Sequence, residues 1–317
     1  MRAAVLTGPG RFEVRDAAVP TPGPNEVRIR LEGCGVCSSN LPLFEGRPWF
    51  TYPFSPGAPG HEGWGRVDAV GREVRDLREG DRVVTLSGQA YAEYDVAPAS
   101  WVVKLPPELD GRPFPGEALG YAMNVFQRSG IGPGDHVAVV GVGFLGAMLV
   151  QLARGAGARV IAFGRRRYAL WLAQTCGADH TLPLGPFPDL VEQVQAITGG
   201  ERCDVAIECA GAKETLDLCG ELLRDRGRLV IASSPEGSAG AAARPSWSRR
   251  SLDVIDGRDR DPSATAEGVR LAMDAAADGR IDPFALYTHS FPLEQLSRAF
   301  TALRERPEGF LKALVTT

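Results

Sequence analysis

Apolar positions change their period partway along the chain, and the change divides it in two. Over residues 26–31, Glu-Val-Arg-Ile-Arg-Leu alternates charged and apolar residues, as a half-buried strand does. Residues 65–70, 81–86 and 90–96 follow as further strands, separated by turns rich in Gly and Pro. Residues 1–6 read as a first strand, because their apolar run is too short for a signal peptide. From about residue 118 the pattern becomes helical and then alternates. A helix over 118–128 leads through Gly132-Pro-Gly134 into strands at 137–140, 159–163, 204–208, 228–232 and 252–256, with helix-forming runs between. Such alternation implies a parallel sheet covered on both faces. Residues 235–249 read as a loop, and helix 264–278, strand 286–291 and helix 293–304 close the chain. The fold class is α/β, with a β-rich part placed before a doubly wound parallel sheet.

The strand at 137–140 runs into Gly141-x-Gly143-x-x-Gly146, and a helix-forming run follows. Gly141 permits a tight turn, Gly143 lets backbone approach a pyrophosphate, and Gly146 lets the helix lie close on the strand. The helix start, with Phe144 and Leu145, offers free N–H groups and a positive dipole end to phosphate. These residues predict a dinucleotide site. The end of the next strand says which dinucleotide. An acid there would bind the ribose 2′-hydroxyl of NAD, but this chain has Gly164, then Arg165 and Arg166. Without a carboxylate a 2′-phosphate is not repelled, and a guanidinium can bind it through forked hydrogen bonds. The expected cofactor is therefore NADP(H). Only Lys104, Lys213 and Lys312 are lysines among 35 basic residues. Arginines are thus common everywhere, and the missing acid is the stronger signal.

Composition narrows the classes further. At 317 residues the chain is long enough for two domains. A formal charge of −4 and scattered arginines give no sign of nucleic-acid binding. No stretch reaches the length of a membrane span. Six cysteines, four of them in the α/β part, do not resemble a disulfide framework, so a reducing, cytoplasmic setting is expected.

Two short segments of the β-rich part carry chemistry: Gly33-Cys-Gly-Val-Cys-Ser-Ser-Asn40 and Pro59-Gly-His-Glu-Gly63. A thiolate and an imidazole at this separation could share a zinc. Cys-x-x-Cys alone could also be a redox pair, but with no second such pair a four-thiolate zinc site is excluded.

In this order, Gly-Val-Cys at 35–37, Gly-His-Glu at 60–62, Gly80-Asp-Arg-Val83, Glu117-Ala-Leu119, the glycine fingerprint and Thr288-His-Ser-Phe-Pro-Leu293 resemble the medium-chain dehydrogenase/reductase superfamily, in particular its zinc-type alcohol and polyol dehydrogenases. The resemblance implies a GroES-like catalytic domain (1–118 and 259–317), a Rossmann domain (119–258) and an active site in the cleft between them. It implies that Cys37 and His61 are zinc ligands, that Glu62 binds the metal or exchanges with water, and that Ser39 passes the substrate's proton. It also places Lys312 near cofactor phosphate and implies a homodimer through the edge strand near 252–255.

The departures carry as much information. Tyr121 stands where many relatives have a third ligand cysteine, and Glu117 matches the carboxylate that polyol dehydrogenases use instead. Asn40 replaces an aspartate that supports the zinc-binding imidazole, and such losses weaken metal affinity about 10–100-fold. Pro42 replaces the histidine that ends the proton relay. The cysteine-rich lobe for a structural zinc is absent. The expected activity is hydride transfer between NADP(H) and a small alcohol or carbonyl compound, assisted by zinc at Cys37, His61, Glu117 and Glu62. Two alternatives stand beside it. One is a zinc-free carbonyl, imine or enone reductase using Tyr121 as proton donor. The other is a non-catalytic NADPH-binding redox sensor.

Overall fold

Strands fill most of the first hundred residues, and strand and helix then alternate, in a computed structural model that describes residues 1–233, 244–259 and 261–317. The chain forms two units. One holds Met1–Gly120, Asp261–Asp278 and Pro283–Thr317; the other holds Tyr121–Arg260 and Gly279–Asp282. The elements, in chain order, are β1 (Arg2–Gly8), β2 (Arg11–Asp16), β3 (Glu26–Gly35), α1 (Leu41–Phe44), β4 (Gly63–Val70), β5 (Arg82–Thr85), β6 (Tyr94–Pro98), β7 (Val102–Lys104), α2 (Gly116–Ser129), β8 (His136–Val140), α3 (Phe144–Gly155), β9 (Arg159–Gly164), α4 (Arg167–Thr175), β10 (His180–Pro183), α5 (Phe187–Ile197), β11 (Cys203–Glu208), α6 (Lys213–Leu222), β12 (Leu223–Ile231), α7 (Pro245–Arg249), β13 (Asp253–Asp256), α8 (Pro262–Ala277), β14 (Tyr287–Pro292), α9 (Leu296–Glu305) and β15 (Lys312–Thr316).

In the β-rich unit, β1 and β2 form a hairpin, and a second sheet runs in the order β14-β15-β3-β4-β5-β7, with β6 also on β3. The alternation in β3 does what its pattern requires: Val27, Ile29 and Leu31 are buried against one core. Burial of each such aliphatic side chain contributes about 1.5–3 kcal/mol. The chain's end is part of this sheet, since β15 lies antiparallel to β3, pairing Leu314 with Gly35. Residues 33–36, just before the first chemical segment, are thus held by residues nearly three hundred positions away.

The second unit is a six-stranded parallel sheet in the order β10-β9-β8-β11-β12-β13. Counted along the chain this is 3-2-1-4-5-6, the doubly wound arrangement whose crevice opens at the carboxyl ends of its first and fourth strands. Those strands are β8 and β11.

Two expectations change. The strand expected over 90–96 starts only at Tyr94, because Ala90, Tyr91 and Ala92 are all fully buried. Their apparent alternation is consecutive burial, with only an isolated bridge from Ala92 to Ala3. Of the loop expected at 235–249, residues 235–243 lie outside the described residues, and Pro245–Arg249 form a short helix with Pro245 in its first turn.

Candidate functional site

The end of β3 and the turn before β4 bring the two chemical segments of the β-rich unit together. Ligand atoms of Cys37, His61 and Glu62 all lie within 4.8 Å of one another. Glu117, in the first turn of α2, faces the same place, its Oε2 4.0 Å from His61 Nε2. Ser39 is exposed and donates its hydroxyl to Cys37 Sγ at 3.2 Å.

His61 is oriented by backbone. Its Nδ1 lies 3.0 Å from the Pro59 carbonyl, which can only accept, so the ring proton belongs on Nδ1. In the neutral ring Nε2 is then the free nitrogen, 4.0 Å from Glu117 Oε2, which is the tautomer a metal needs. Asn40 Nδ2 donates to the same carbonyl at 3.0 Å and lies 3.4 Å from Nδ1. The support expected to be lost with the aspartate is therefore supplied by Pro59, with Asn40 holding that carbonyl in place.

The groups around His61 favour its charged form. Burial alone would lower the His61 pKa, yet a hydrogen bond to Cys37 and the charges of Cys37, Glu117 and Glu62 raise it to about 10. Burial raises the Glu117 pKa, with Glu62 adding to the effect and His61 and Lys312 opposing it. The Cys37 thiol, the His61 imidazole and the Glu62 carboxylate, within 4.8 Å of one another, are a donor set that suits zinc.

Lys312, expected at cofactor phosphate, is placed differently. Its side chain is buried, and its ammonium donates to Glu62 Oε1 at 2.7 Å and to the Val36 carbonyl at 3.3 Å. It also approaches Glu62 Oε2 at 2.5 Å, but without hydrogen-bond alignment, so that oxygen has no aligned donor. Burial alone would lower the Lys312 pKa; Glu62 and Cys37 outweigh it and raise it. The lysine's charge is thus spent on Glu62. Gly35 makes room for that carboxylate: a Cβ there would lie 1.8 Å from Glu62 Oε2. The Gly-Val-Cys motif therefore needs its glycine for the neighbour it admits. Neither role carried a local signal, because Glu62 and Lys312 are far apart in the chain.

The dinucleotide unit brings the fingerprint to the carboxyl end of β8. Gly141 has φ +104°, and a Cβ there would meet Ala210 N at 2.7 Å. At Gly146 a Cβ would lie 2.2 Å from the Gly141 carbonyl oxygen, so α3 can pack this closely only through a glycine. At Gly143 a Cβ would meet nothing within 4 Å, which leaves open space above the backbone. Gly143 caps α3 without a side-chain bond, and Phe144 and Leu145 form its first turn, so its leading N–H groups face outward for an anion. Gly164 ends β9; Arg165 is exposed beyond it, and Arg166 is the N-cap of α4.

Tyr121, one turn beyond Glu117 on α2, donates its hydroxyl to the Ala232 carbonyl at 2.7 Å. This bond ties α2 to the backbone after β12.

Both parts of the chain match known proteins. Residues 23–107 match the alcohol dehydrogenase GroES-like domain, and residues 145–256 match the zinc-binding dehydrogenase domain. An alcohol dehydrogenase of Rhizobium meliloti is 32% identical, over 75% of this chain and 78% of its own. A sorbitol dehydrogenase of Halalkalibacterium halodurans is 26% identical, over 96% of both chains. A Sinorhizobium meliloti protein described as a zinc-binding dehydrogenase, solved with NADP bound, superposes with a TM-score of 0.84 at 27% identity, over 100% of this chain and 99% of its own.

Proposed function

The chain belongs to the zinc-type medium-chain dehydrogenase/reductase superfamily, and on that premise we propose that it is an NADP(H)-dependent alcohol dehydrogenase or carbonyl reductase acting with a bound zinc on a small, polar substrate. As a member of the alcohol and polyol dehydrogenase family it is an oxidoreductase. The observation that carries the finer reading is the grouping of Cys37, His61 and Glu62 ligand atoms within 4.8 Å, with Glu117 4.0 Å from His61 Nε2 and the His61 ring oriented by Pro59.

In this reading Cys37, His61 and Glu117 hold the metal, with Glu62 or water as the fourth ligand. Zinc, when bound, supplies a Lewis acid for the carbonyl or alcohol oxygen, and NADP(H) supplies or takes the hydride. Pro59 and Asn40 keep His61 Nε2 directed at the metal position. Lys312 pairs with Glu62, and Glu117 is a second carboxylate beside His61 Nε2. Ser39 takes the proton that leaves the substrate alcohol and returns it during reduction. Its exposure lets it pass that proton directly to water, which supports a relay without the histidine that Pro42 replaces. Gly164, Arg165 and Arg166 receive the 2′-phosphate, and the N-terminus of α3 receives the pyrophosphate.

The Tyr121 reductase is disfavoured by the bond to Ala232. A reducing, cytoplasmic setting belongs to the same reading, supported by six free cysteines. So does a homodimer through β13, the outer strand of its sheet. Among the described residues no helix is long and apolar enough to cross a membrane. The test is NADPH oxidation against a panel of small aldehydes, ketones and sugars, with NADP⁺ reduction by the matching alcohols. Turnover of any of them supports an enzyme; NADPH binding without turnover across the panel favours a redox sensor.

A further inference from the structure

Glu208 is the last residue of β11 and is fully buried. A buried carboxylate is costly unless its oxygens are well bonded. No Lys or Arg pairs with this one among the described residues; four neutral donors meet it instead. Oε1 accepts from the backbone N–H of Ala210 and of Gly211, each at 2.9 Å, and lies 2.8 Å from the Thr215 hydroxyl. The Thr215 proton is shared with the Ala212 carbonyl, 2.9 Å away. Oε2 accepts from the Ser233 hydroxyl.

These donors belong to three separate pieces: the turn after β11, the first turn of α6, and the chain leaving β12. The turn also rests on the glycine fingerprint. Cys209 N donates to the Val140 carbonyl at 2.8 Å, and Ala210 N is the atom a Cβ at Gly141 would strike. Ala232 N donates to the Glu208 carbonyl at 3.0 Å, so backbone and side chain of one residue both hold the end of β12. In the 3-2-1-4-5-6 order, the adenosine half of a dinucleotide lies on the β9 side of the crevice and the nicotinamide half on the β11 side. Glu208 stands at the carboxyl end of β11.

We propose that Glu208 is a positioning residue for the nicotinamide half of the cofactor. It fixes the 209–211 turn and residue 233 as one wall of that subsite, without itself touching the ligand. This inference rests on the dinucleotide reading above. A wall at β11 is distant from the 2′-phosphate end at Gly164, so loss of the anchor should affect the two halves of the ligand unequally.

The test compares NADPH with 2′,5′-ADP, which carries only the adenosine half, by calorimetry on the full-length protein. If the wild type prefers NADH, then NADH and 5′-ADP take their places. Glu208→Ala should raise the NADPH Kd about tenfold or more and leave 2′,5′-ADP within about twofold. Glu208→Gln keeps the shape and the Oε1 acceptor, and should restore NADPH binding to within about threefold of wild type. If Glu208→Ala does not fold, Thr215→Val and Ser233→Ala each remove one donor and should show the same split, at about threefold. Unchanged NADPH binding in a folded Glu208→Ala or in both donor variants, or equal loss of NADPH and 2′,5′-ADP, would overturn the proposal. A wild type that binds neither dinucleotide would instead overturn the cofactor reading, on wild-type data alone.

Discussion

A valine at position 143 and an alanine at position 146 should separate ligand binding from folding, although the two glycines are three residues apart. Gly143 has φ −98° and ψ −161°, extended backbone open to any residue. A side chain there meets no protein atom within 4 Å. Gly143→Val should therefore change stability by no more than about 0.5–1 kcal/mol. The same open space is where a pyrophosphate would approach the backbone, and a branched side chain would fill it. Loss of at least about a hundredfold in NADPH affinity, or about 2.7 kcal/mol, is expected. Gly146→Ala is the reverse case. Its Cβ would lie 2.2 Å from the Gly141 oxygen, a backbone atom that cannot rotate away. The N-terminus of α3 must shift off β8, and such overpacking costs about 1–3 kcal/mol. Thermal unfolding and NADPH titration of both variants read the two effects. A folded Gly143→Val that binds NADPH as the wild type does would remove the pyrophosphate from that position. A Gly146→Ala as stable as the wild type would refute the close-packing argument.

Gly164→Asp should shift cofactor preference toward NADH by about tenfold, or about 1.4 kcal/mol. Its Cβ meets Leu170 Cδ2 at 3.2 Å, a flexible contact that can give way; a variant with the wild type's preference would count against the missing-acid reading. Asp204 governs part of the acid stability. Burial alone would raise its pKa, but the Arg224 guanidinium at 2.7 Å and the His136 N–H hold it below 3.8. A depressed carboxylate stabilises the fold above its unfolded pKa and loses that contribution as pH falls through the folded value. The stability gap between wild type and Asp204→Asn in urea should thus be present at pH 7 and shrink below about pH 4; a gap independent of pH would contradict the ion pair.

What was legible in the sequence was local. The strand before Gly141, the fingerprint and the missing acid at Gly164 lie within thirty residues, and each glycine's constraint comes from the turn it occupies. Cys37, His61 and Glu62 are legible from motif, and the structure groups their ligand atoms, with Glu117 beside His61. The wider surroundings of the site depend on contacts that cross the chain. Glu62 meets Lys312 because β15 returns to pair with β3, and no pattern near either residue announces it. The phosphate role expected of Lys312 comes from the family resemblance alone, which carries no sign of its partner. The Pro59 carbonyl that orients His61 is a backbone atom, which a side-chain reading does not register. Residues 90–93 imitate a strand because Ala-Tyr-Ala-Glu alternates by size, while burial there follows the crowding of β1 and β4.

Metal content tests the central claim most directly. Protein purified with zinc present and assayed by plasma mass spectrometry should carry about one zinc per chain. Cys37→Ser and Glu117→Ala should carry little or none while remaining folded. NADPH-linked turnover should vanish on exhaustive chelation and return when zinc is added. A wild-type protein that holds no zinc and keeps its full turnover after chelation would contradict the account.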